Sequence, residues 1–268
     1  MEITNVIEFV NANLPFFIIG FIIFDFIFIL ILLNYLDKKR TGQLKDLADG
    51  KGLLFEEDAE RLMQEIESKR IPLHFFEKGS CRQAANCSYG VHAGKAYADF
   101  FDYSYVTGSG KSRSTHVYRC GLVRFPGEVS LPQFELVPEN FVMRLVDKVL
   151  SRDIDFDNYP FFSEKYQLTA YSDITDSQQY KQINERILSS LSGNEEYVRK
   201  LFQPSVISCL ENHTGLEAYS KANFLLVCKA GSMKIEKIEE FEISVREISE
   251  IIYSSYQSNS EYFRSMQA

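Results

Sequence analysis

The strongest constraint on this chain is an apolar run of 23 residues, 14–36, which reads LPFFIIGFIIFDFIFILILLNYL and contains one ionisable side chain, Asp25. At a rise of about 1.5 Å per residue, a helix of this length crosses a hydrocarbon core of about 30 Å. The run is apolar on every side, whereas a helix at the surface of a soluble domain has a polar face. We therefore predict a transmembrane helix over residues 14–36.

A cleaved secretory signal peptide is the main alternative for such a run. It needs a basic segment, about 7–15 apolar residues and a small-residue cleavage site. The residues before the run include Glu2 and Glu8 but no Lys or Arg, and residues 34–37 read NYLD, without a cleavage pattern. We therefore expect the helix to be retained.

The basic residues around the run predict its orientation. Residues 1–13 contain no Lys or Arg, whereas the positions after the run include Lys38, Lys39, Arg40 and Lys45. By the positive-inside rule, residues 1–13 form a short extracytoplasmic N-terminus and the C-terminal part is cytoplasmic. This pattern predicts a single-pass protein of the plasma (inner) membrane. Five cysteines without framework spacing are typical of reduced thiols, which agrees with the cytoplasm.

Asp25 lies near the middle of the predicted span, where a carboxyl group costs about 2.5–3.5 kcal/mol on insertion scales. One interpretation is association with another helix or pairing with a partner subunit. The other is that a run so rich in Phe, Ile and Leu tolerates one carboxyl group. Lys38, Lys39 and Arg40 would also attract anionic lipid headgroups. Their effect on membrane topology is enough to explain why basic residues stand at these positions.

The rest of the sequence predicts an α+β fold, in which antiparallel hairpins pack with helices. Residues 37–52 are polar and Gly-containing, as in a linker, and residues 53–256 form a cytoplasmic domain. A break near residues 172–193 leaves open whether this domain has two subdomains. Residues 257–268 are polar and predict a flexible tail.

Periodicity places the elements within that domain. Alternation at residues 95–106 and 115–125, around a Gly/Ser turn, predicts one long hairpin, and residues 216–230 predict a second that turns near residues 222–223. Further strands are predicted at residues 73–78, 131–137 and 166–171, with a polar loop at 79–87. Helical spacing is found at residues 55–66, 138–150, 180–202 and 233–256.

The segment Gly108-Ser-Gly-Lys-Ser112 is similar to the end of a phosphate-binding loop. The full motif needs a Gly five residues before Gly110, where this chain has Tyr105, and a helix afterwards. A strand is predicted to follow instead. We therefore interpret the segment as a hairpin turn.

An acidic segment has the spacing of an EF-hand calcium loop, with acids at positions 1, 3, 5 and 12. Asn158 replaces the glycine of the sharp turn, Pro160 stands where a backbone N–H is normally needed, and a strand follows. The alternative is an acidic surface turn. The weak candidate ligands are Asp153, Asp155, Asp157 and Glu164.

Other chemistry has little support in the sequence. Cys81, Cys87, His116 and Cys120 lack the tight spacing of a zinc knuckle. None of the four histidines lies near a convincing Ser or Cys partner in sequence, so we predict no catalytic or cofactor-binding residue and no cofactor. A net charge of −8 argues against nucleic acid as a partner.

Several segments resemble a group of bacterial membrane-anchored proteins with no assigned activity. They are FFDYSYVTGSGKS at 100–112, LPQFELVPE at 131–139, DIDF at 153–156 with Pro160, Phe162, Ser163, Tyr166 and Leu168, and VRKLF at 198–202. The chain departs from the group between residues 172 and 193, where a shorter connection is expected. The resemblance implies a bacterial source and a structural role for DIDF, which weakens the calcium hypothesis.

Three functional hypotheses follow. The first is a non-enzymatic domain that is tethered to the lipid bilayer and binds a protein partner or a second copy of itself. The second is a ligand- or lipid-binding domain that uses the aromatic strand face of Tyr97, Phe101, Tyr103 and Tyr105. The third is an enzyme whose site is assembled from residues distant in sequence.

Overall fold

A computed structural model describes residues 3–139, 154–171 and 186–265 of the 268-residue chain. The chain divides into two compact units, Met1–Leu47 and Ala48–Ala268. The second unit includes the predicted domain, 53–256. The proposed break near 172–193 and the predicted helix over 138–150 lie largely outside the described residues.

A single helix, α1 (Ile3–Gly50), contains the predicted span and is 48 residues long. It differs from the prediction at residues 37–50, which were expected to form a linker and are helical. Lys, Gln, Leu and Ala are good helix formers, and they outweigh the isolated glycines in this stretch. The helix ends where Gly52 adopts a φ of +66° and the Leu53 N–H donates to the Ala48 carbonyl at 2.9 Å.

The second unit is built on an eight-stranded sheet in which every pairing is antiparallel. Its strand order is β1-β2-β3-β4-β8-β7-β5-β6. The strands are β1 (Leu54–Glu56), β2 (Ser80–Ala93), β3 (Ala96–Thr107), β4 (Ser114–Arg124), β5 (Leu131–Pro138), β6 (Tyr166–Ala170), β7 (Glu217–Ala222) and β8 (Phe224–Ala230).

Helices and short 3₁₀ turns complete the described part of this unit. They are α2 (Glu60–Glu67), α3 (Pro160–Lys165), α4 (Arg186–Leu201), α5 (Pro204–Asn212), α6 (Ile238–Ser258) and α7 (Ser260–Ser265), with 3₁₀ turns at His74–Glu77, Gly110–Ser112 and Ile235–Lys237. The α+β fold with antiparallel hairpins is confirmed. Strands β3 and β4 form the first predicted hairpin, and β7 and β8 form the second around Asn223.

The predicted strand at 73–78 and the predicted loop at 79–87 are both wrong. Residues His74–Glu77 form a 3₁₀ turn, and β2 already begins at Ser80. Phe75 and Phe76 are adjacent and both lie in the same core, whereas in a strand they would point to opposite faces of the sheet. The start of β2 is polar and shows no regular alternation. Positive φ angles at Cys81 and Asn86 and shifts in register interrupt the strand there.

Each face of the sheet packs against its own hydrophobic core. Successive residues of β8 alternate between the two cores, with Leu225 and Val227 in one and Leu226 and Cys228 in the other. Helices α3 to α7 cover the first core, and α2 with residues 71–76 covers the second. Because both faces are covered, β8 reads as a nearly continuous apolar run, FLLVC at 224–228.

Residues 257–265 are not a simple frayed tail. Helix α6 continues to Ser258, and α7 follows it directly. The Phe263 side chain is only 2% exposed and stacks on Tyr256 with 5.0 Å between ring centroids. The end of the described chain therefore packs into the first core.

This packing predicts that Phe263→Ala lowers the free energy of unfolding by about 3–5 kcal/mol, because it opens a cavity in the core. Phe161 is 70% exposed and provides a matched control, so Phe161→Ala should change the free energy by no more than about 0.5 kcal/mol. Chemical denaturation of the full chain in a neutral detergent would measure both values. Equal effects of the two substitutions would contradict the packing of the C-terminal segment.

Candidate functional site

The apolar helix is the first candidate functional feature. The large apolar side chains of α1 are exposed from Phe16, at 74%, to Leu36, at 50%. Among the described helices, one span, Ile18–Gly50, is long and apolar enough to cross a membrane. Asp25 interrupts its apolar surface and is half-buried, and the next Asp, Glu, Lys or Arg residues along the chain are Asp37, Lys38, Lys39 and Arg40.

The aromatic strand face proposed for ligand binding is mostly core. Phe101, Tyr103 and Tyr105 are buried, and the Phe75 ring packs against Tyr103 and Tyr105 at centroid distances of 5.5 and 6.2 Å. Tyr97 is separate from them, 54% exposed, with its ring 4.8 Å from that of His92. Three of the four rings thus occupy the space in which a ligand was expected.

The acidic segment has an internal structural role. The Asp155 carbonyl accepts a hydrogen bond from Arg199 at 2.7 Å, and the Ile154 N–H donates to the Leu168 carbonyl at 2.8 Å. Within the described ranges, no three His, Cys, Asp or Glu side chains are grouped to hold a metal ion, so Asp155, Asp157 and Glu164 do not form such a group by themselves. Asp153 lies outside these ranges, and calcium binding stays a prediction.

The cysteines carry free thiols. Cys81 is exposed, whereas Cys87, Cys120 and Cys228 are buried. Cys120 and Cys228 face each other across β4 and β8 with their Sγ atoms 3.1 Å apart. Burial raises the pKa of the Cys228 thiol well above its ordinary value. Within the described residues, Cys81, Cys87, His116 and Cys120 do not lie together as a group that could hold a metal ion.

The Gly108–Ser112 segment is a hairpin turn, as predicted. It connects β3 to β4 through the 3₁₀ turn Gly110–Ser112. Gly108 has a φ of +74°, and a Cβ atom there would lie 2.3 Å from the Ser112 carbonyl oxygen, so only glycine fits. A strand follows this turn where a phosphate-binding loop requires a helix.

A polar cluster that the sequence analysis missed lies beside the second core. Lys78 Nζ donates to Glu135 Oε1 at 2.7 Å and to the Tyr219 hydroxyl at 3.1 Å. The Tyr219 hydroxyl donates to Glu217 Oε2 at 2.6 Å. The Tyr171 hydroxyl donates to the other oxygen of Glu135 at 2.9 Å. We call these five residues the Lys78 cluster.

The sheet register positions the Lys78 cluster. Glu217 and Tyr219 are two residues apart in β7 and therefore share a face, and Glu135 in β5 is the cross-strand partner of Tyr219. Lys78 follows directly after the 3₁₀ turn that carries Phe75. Its Nζ lies 4.6 Å from the centroid of the Tyr219 ring, close enough for a cation–π interaction.

Burial sets the protonation of the Lys78 cluster. It raises the pKa of Glu217, although the Tyr219 hydroxyl and Lys78 partly oppose this. Burial also raises the pKa of Tyr219, and the neighbouring Glu217 and Glu135 carboxylates add to the effect, so the phenol stays protonated and donates. Burial therefore favours the protonated form of the Glu217 carboxyl group, whose Oε2 accepts the hydrogen bond from the Tyr219 hydroxyl.

No local motif marks the Lys78 cluster in the sequence, because its members come from four separate segments. One signal was available at Glu135. This residue lies in a strand between Phe134 and Leu136, which are both buried on the opposite face. In a sheet covered on both faces, a charged residue at such a position must find a partner.

A scan against protein-family profiles gives no match, and searches of curated proteins and of solved structures give no significant match. The resemblance to bacterial membrane-anchored proteins therefore stays a prediction.

The raised pKa of Glu217 predicts a pH effect on stability. Between the unfolded value of about 4.3 and the higher folded value, the native state binds more protons than the unfolded state. The free energy of unfolding therefore falls as the pH rises through this interval. In Glu217→Gln this contribution is removed, so the variant should lose less stability than the parent protein over the same interval.

Denaturation curves measured across that pH range test the effect. The exposed Glu236 provides the control substitution Glu236→Gln, which introduces the same amide at the surface. A pH dependence that is equally altered in both variants, or unaltered in Glu217→Gln, would count against the assignment.

Proposed function

We propose that this chain is a single-pass membrane protein whose C-terminal unit lies at the cytoplasmic face and acts by binding rather than by catalysis. Its proposed partner is a second copy of the chain. The observation that supports this most strongly is the exposure of large apolar side chains around the whole of α1 between Phe16 and Leu36. Each such side chain gains about 1.5–3 kcal/mol when it leaves water, so lipid or another helix has to cover them.

The charges and the thiols support the orientation. Lys38 and Lys39 are exposed immediately after the apolar run, which favours the cytoplasmic side for everything that follows. The free thiols agree with a reducing compartment, since disulfides form mainly in oxidising ones.

Asp25 supports self-association. It is the one Asp, Glu, Lys or Arg residue in the run 14–36, and a carboxyl group in a bilayer is stabilised when it bonds to a polar group of another helix. Two copies of the chain would place two such groups at the same depth. The Lys78 cluster supports a non-catalytic role, because Lys78 already donates hydrogen bonds to both Glu135 and Tyr219.

The orientation predicts a clear result in protease protection. In right-side-out membrane vesicles, added protease should leave the C-terminal unit intact, because only residues 1–13 would face outward. In inside-out vesicles the same protease should digest that unit. Known periplasmic and cytoplasmic proteins serve as controls, and digestion in the right-side-out vesicles would contradict the topology.

The role of Asp25 predicts that Asp25→Leu weakens self-association of the full chain in liposomes by about fivefold, because interhelical polar contacts contribute about 1 kcal/mol. Asp37→Asn is the matched control, since Asp37 is a carboxylate just outside the apolar run. Energy transfer between labelled copies would measure the dimer fraction at several protein-to-lipid ratios. A parent protein that is monomeric at every ratio, or equal weakening by the two substitutions, would contradict the proposal.

A further inference from the structure

The second unit contains a pocket of about 440 Å³ that the functions considered so far do not use. Three segments line it: residues 212–216 at the C-terminal end of α5, residues 229–234 at the end of β8, and residues 237–244 at the start of α6. Its volume falls within the range of small-molecule sites, about 300–1,000 Å³.

The charge of the pocket contrasts with that of the whole chain. Three lysines, Lys229, Lys234 and Lys237, line it together with one carboxylate, Glu240, in a protein whose net charge is −8. Glu240 is paired with Lys237 at 2.5 Å. The lining therefore keeps an excess of positive charge, which favours an anionic ligand.

Two of the lysines are placed differently within the pocket. Lys229 is anchored, because its Nζ donates to the Gly215 carbonyl at 3.0 Å and to the Thr214 carbonyl at 3.3 Å. The Lys234 side chain is exposed and makes no hydrogen bond or ion pair with any residue that the structure describes, whereas its backbone carbonyl accepts from the Lys237 N–H. The ammonium group of Lys229 is thus held in the wall of the pocket, and that of Lys234 is free to bind a ligand.

Neutral groups in the lining complement the lysines. Ser232 contributes a hydroxyl, and the buried side chains of Leu216 and Phe241 contribute an apolar surface. His213 also lines the pocket, with its Nε2 2.7 Å from the Glu247 carboxylate. Such a surface fits a ligand with an apolar body and an anionic group, because lysines and hydroxyls both donate hydrogen bonds to phosphate oxygens.

We propose that this pocket binds a small ligand that carries a phosphate group, with Lys229 and Lys234 as the principal donors. The ligand is either a soluble phosphorylated molecule or the headgroup of a phospholipid, since both present the same chemistry. The inference goes beyond the proposed function and does not depend on self-association or on the orientation of the chain.

The test uses the full chain in nanodiscs of phosphatidylcholine, with phenyl phosphate as the probe. Ligand-detected NMR should show that phenyl phosphate binds, and that benzyl alcohol, which has a similar ring but no charge, binds at least tenfold more weakly. Lys229→Gln and Lys234→Gln should each weaken the binding of phenyl phosphate by about tenfold, because each removes a charge-assisted hydrogen bond.

Lys95→Gln is the matched control, because Lys95 is exposed and lies outside the pocket lining. Only the side chain of Lys234 is changed, and it makes no hydrogen bond or ion pair within the described residues, so Lys234→Gln keeps the test valid even if Lys229→Gln fails to fold. Equal binding of the two probes, or equal weakening by Lys234→Gln and Lys95→Gln, would overturn the proposal.

The same measurement separates the two sources of the ligand. In nanodiscs that contain phosphatidic acid, weaker binding of phenyl phosphate to the parent protein, but not to Lys234→Gln, would identify the lipid headgroup as the occupant. Unchanged binding of phenyl phosphate in these nanodiscs would identify a soluble phosphorylated molecule.

Discussion

The pairing of β4 with β8 is the interaction on which the globular unit depends. Seven residue pairs, from Tyr118–Ala230 to Arg124–Phe224, join the strands β1 to β4 with the strands β5 to β8. The partners are about 100 residues apart, so the pairing must offset a large loss of chain entropy before it stabilises the fold. Burial on both faces provides this stabilisation, since Leu122 and Leu226 lie in one core and Val123 and Val227 in the other.

The close packing around this pairing has specific requirements. Gly121 of β4 lies beneath α6, and a Cβ atom there would be 2.8 Å from the Phe100 ring and 3.0 Å from Val245. Two residues earlier in β4, Arg119 is almost completely buried, and its guanidinium group lies 3.4 Å from the Asp102 carboxylate. A buried charge that loses its partner costs about 3–5 kcal/mol, so this pair restricts which residues the centre of the sheet accepts.

Two groups of polar side chains differ in their hydrogen bonding, and the difference guides the functional proposals. In the Lys78 cluster a lysine, two carboxylates and two phenols bond one another at the edge of an aromatic core, which is typical of a satisfied structural network. In the pocket beside α6, the ammonium group of Lys234 has no partner among the described residues, and the concave surface around it is accessible. We therefore favour a ligand-binding role for the pocket and a structural role for the Lys78 cluster.

The sequence by itself determined the features that depend on residues close together along the chain. The apolar run around Asp25, the hairpins of β3–β4 and β7–β8, and the turn at Gly108–Ser112 follow from composition and periodicity, because neighbouring residues fix the local backbone. Periodicity failed at Phe75–Phe76, where both side chains turn inward to cover the second core. Tertiary structure alone decided the β4–β8 pairing, the burial of Phe263, the Lys78 cluster and the lysine-lined pocket. Each of these joins segments that lie far apart in the sequence, and no local spacing records which distant side chains a folded sheet brings together.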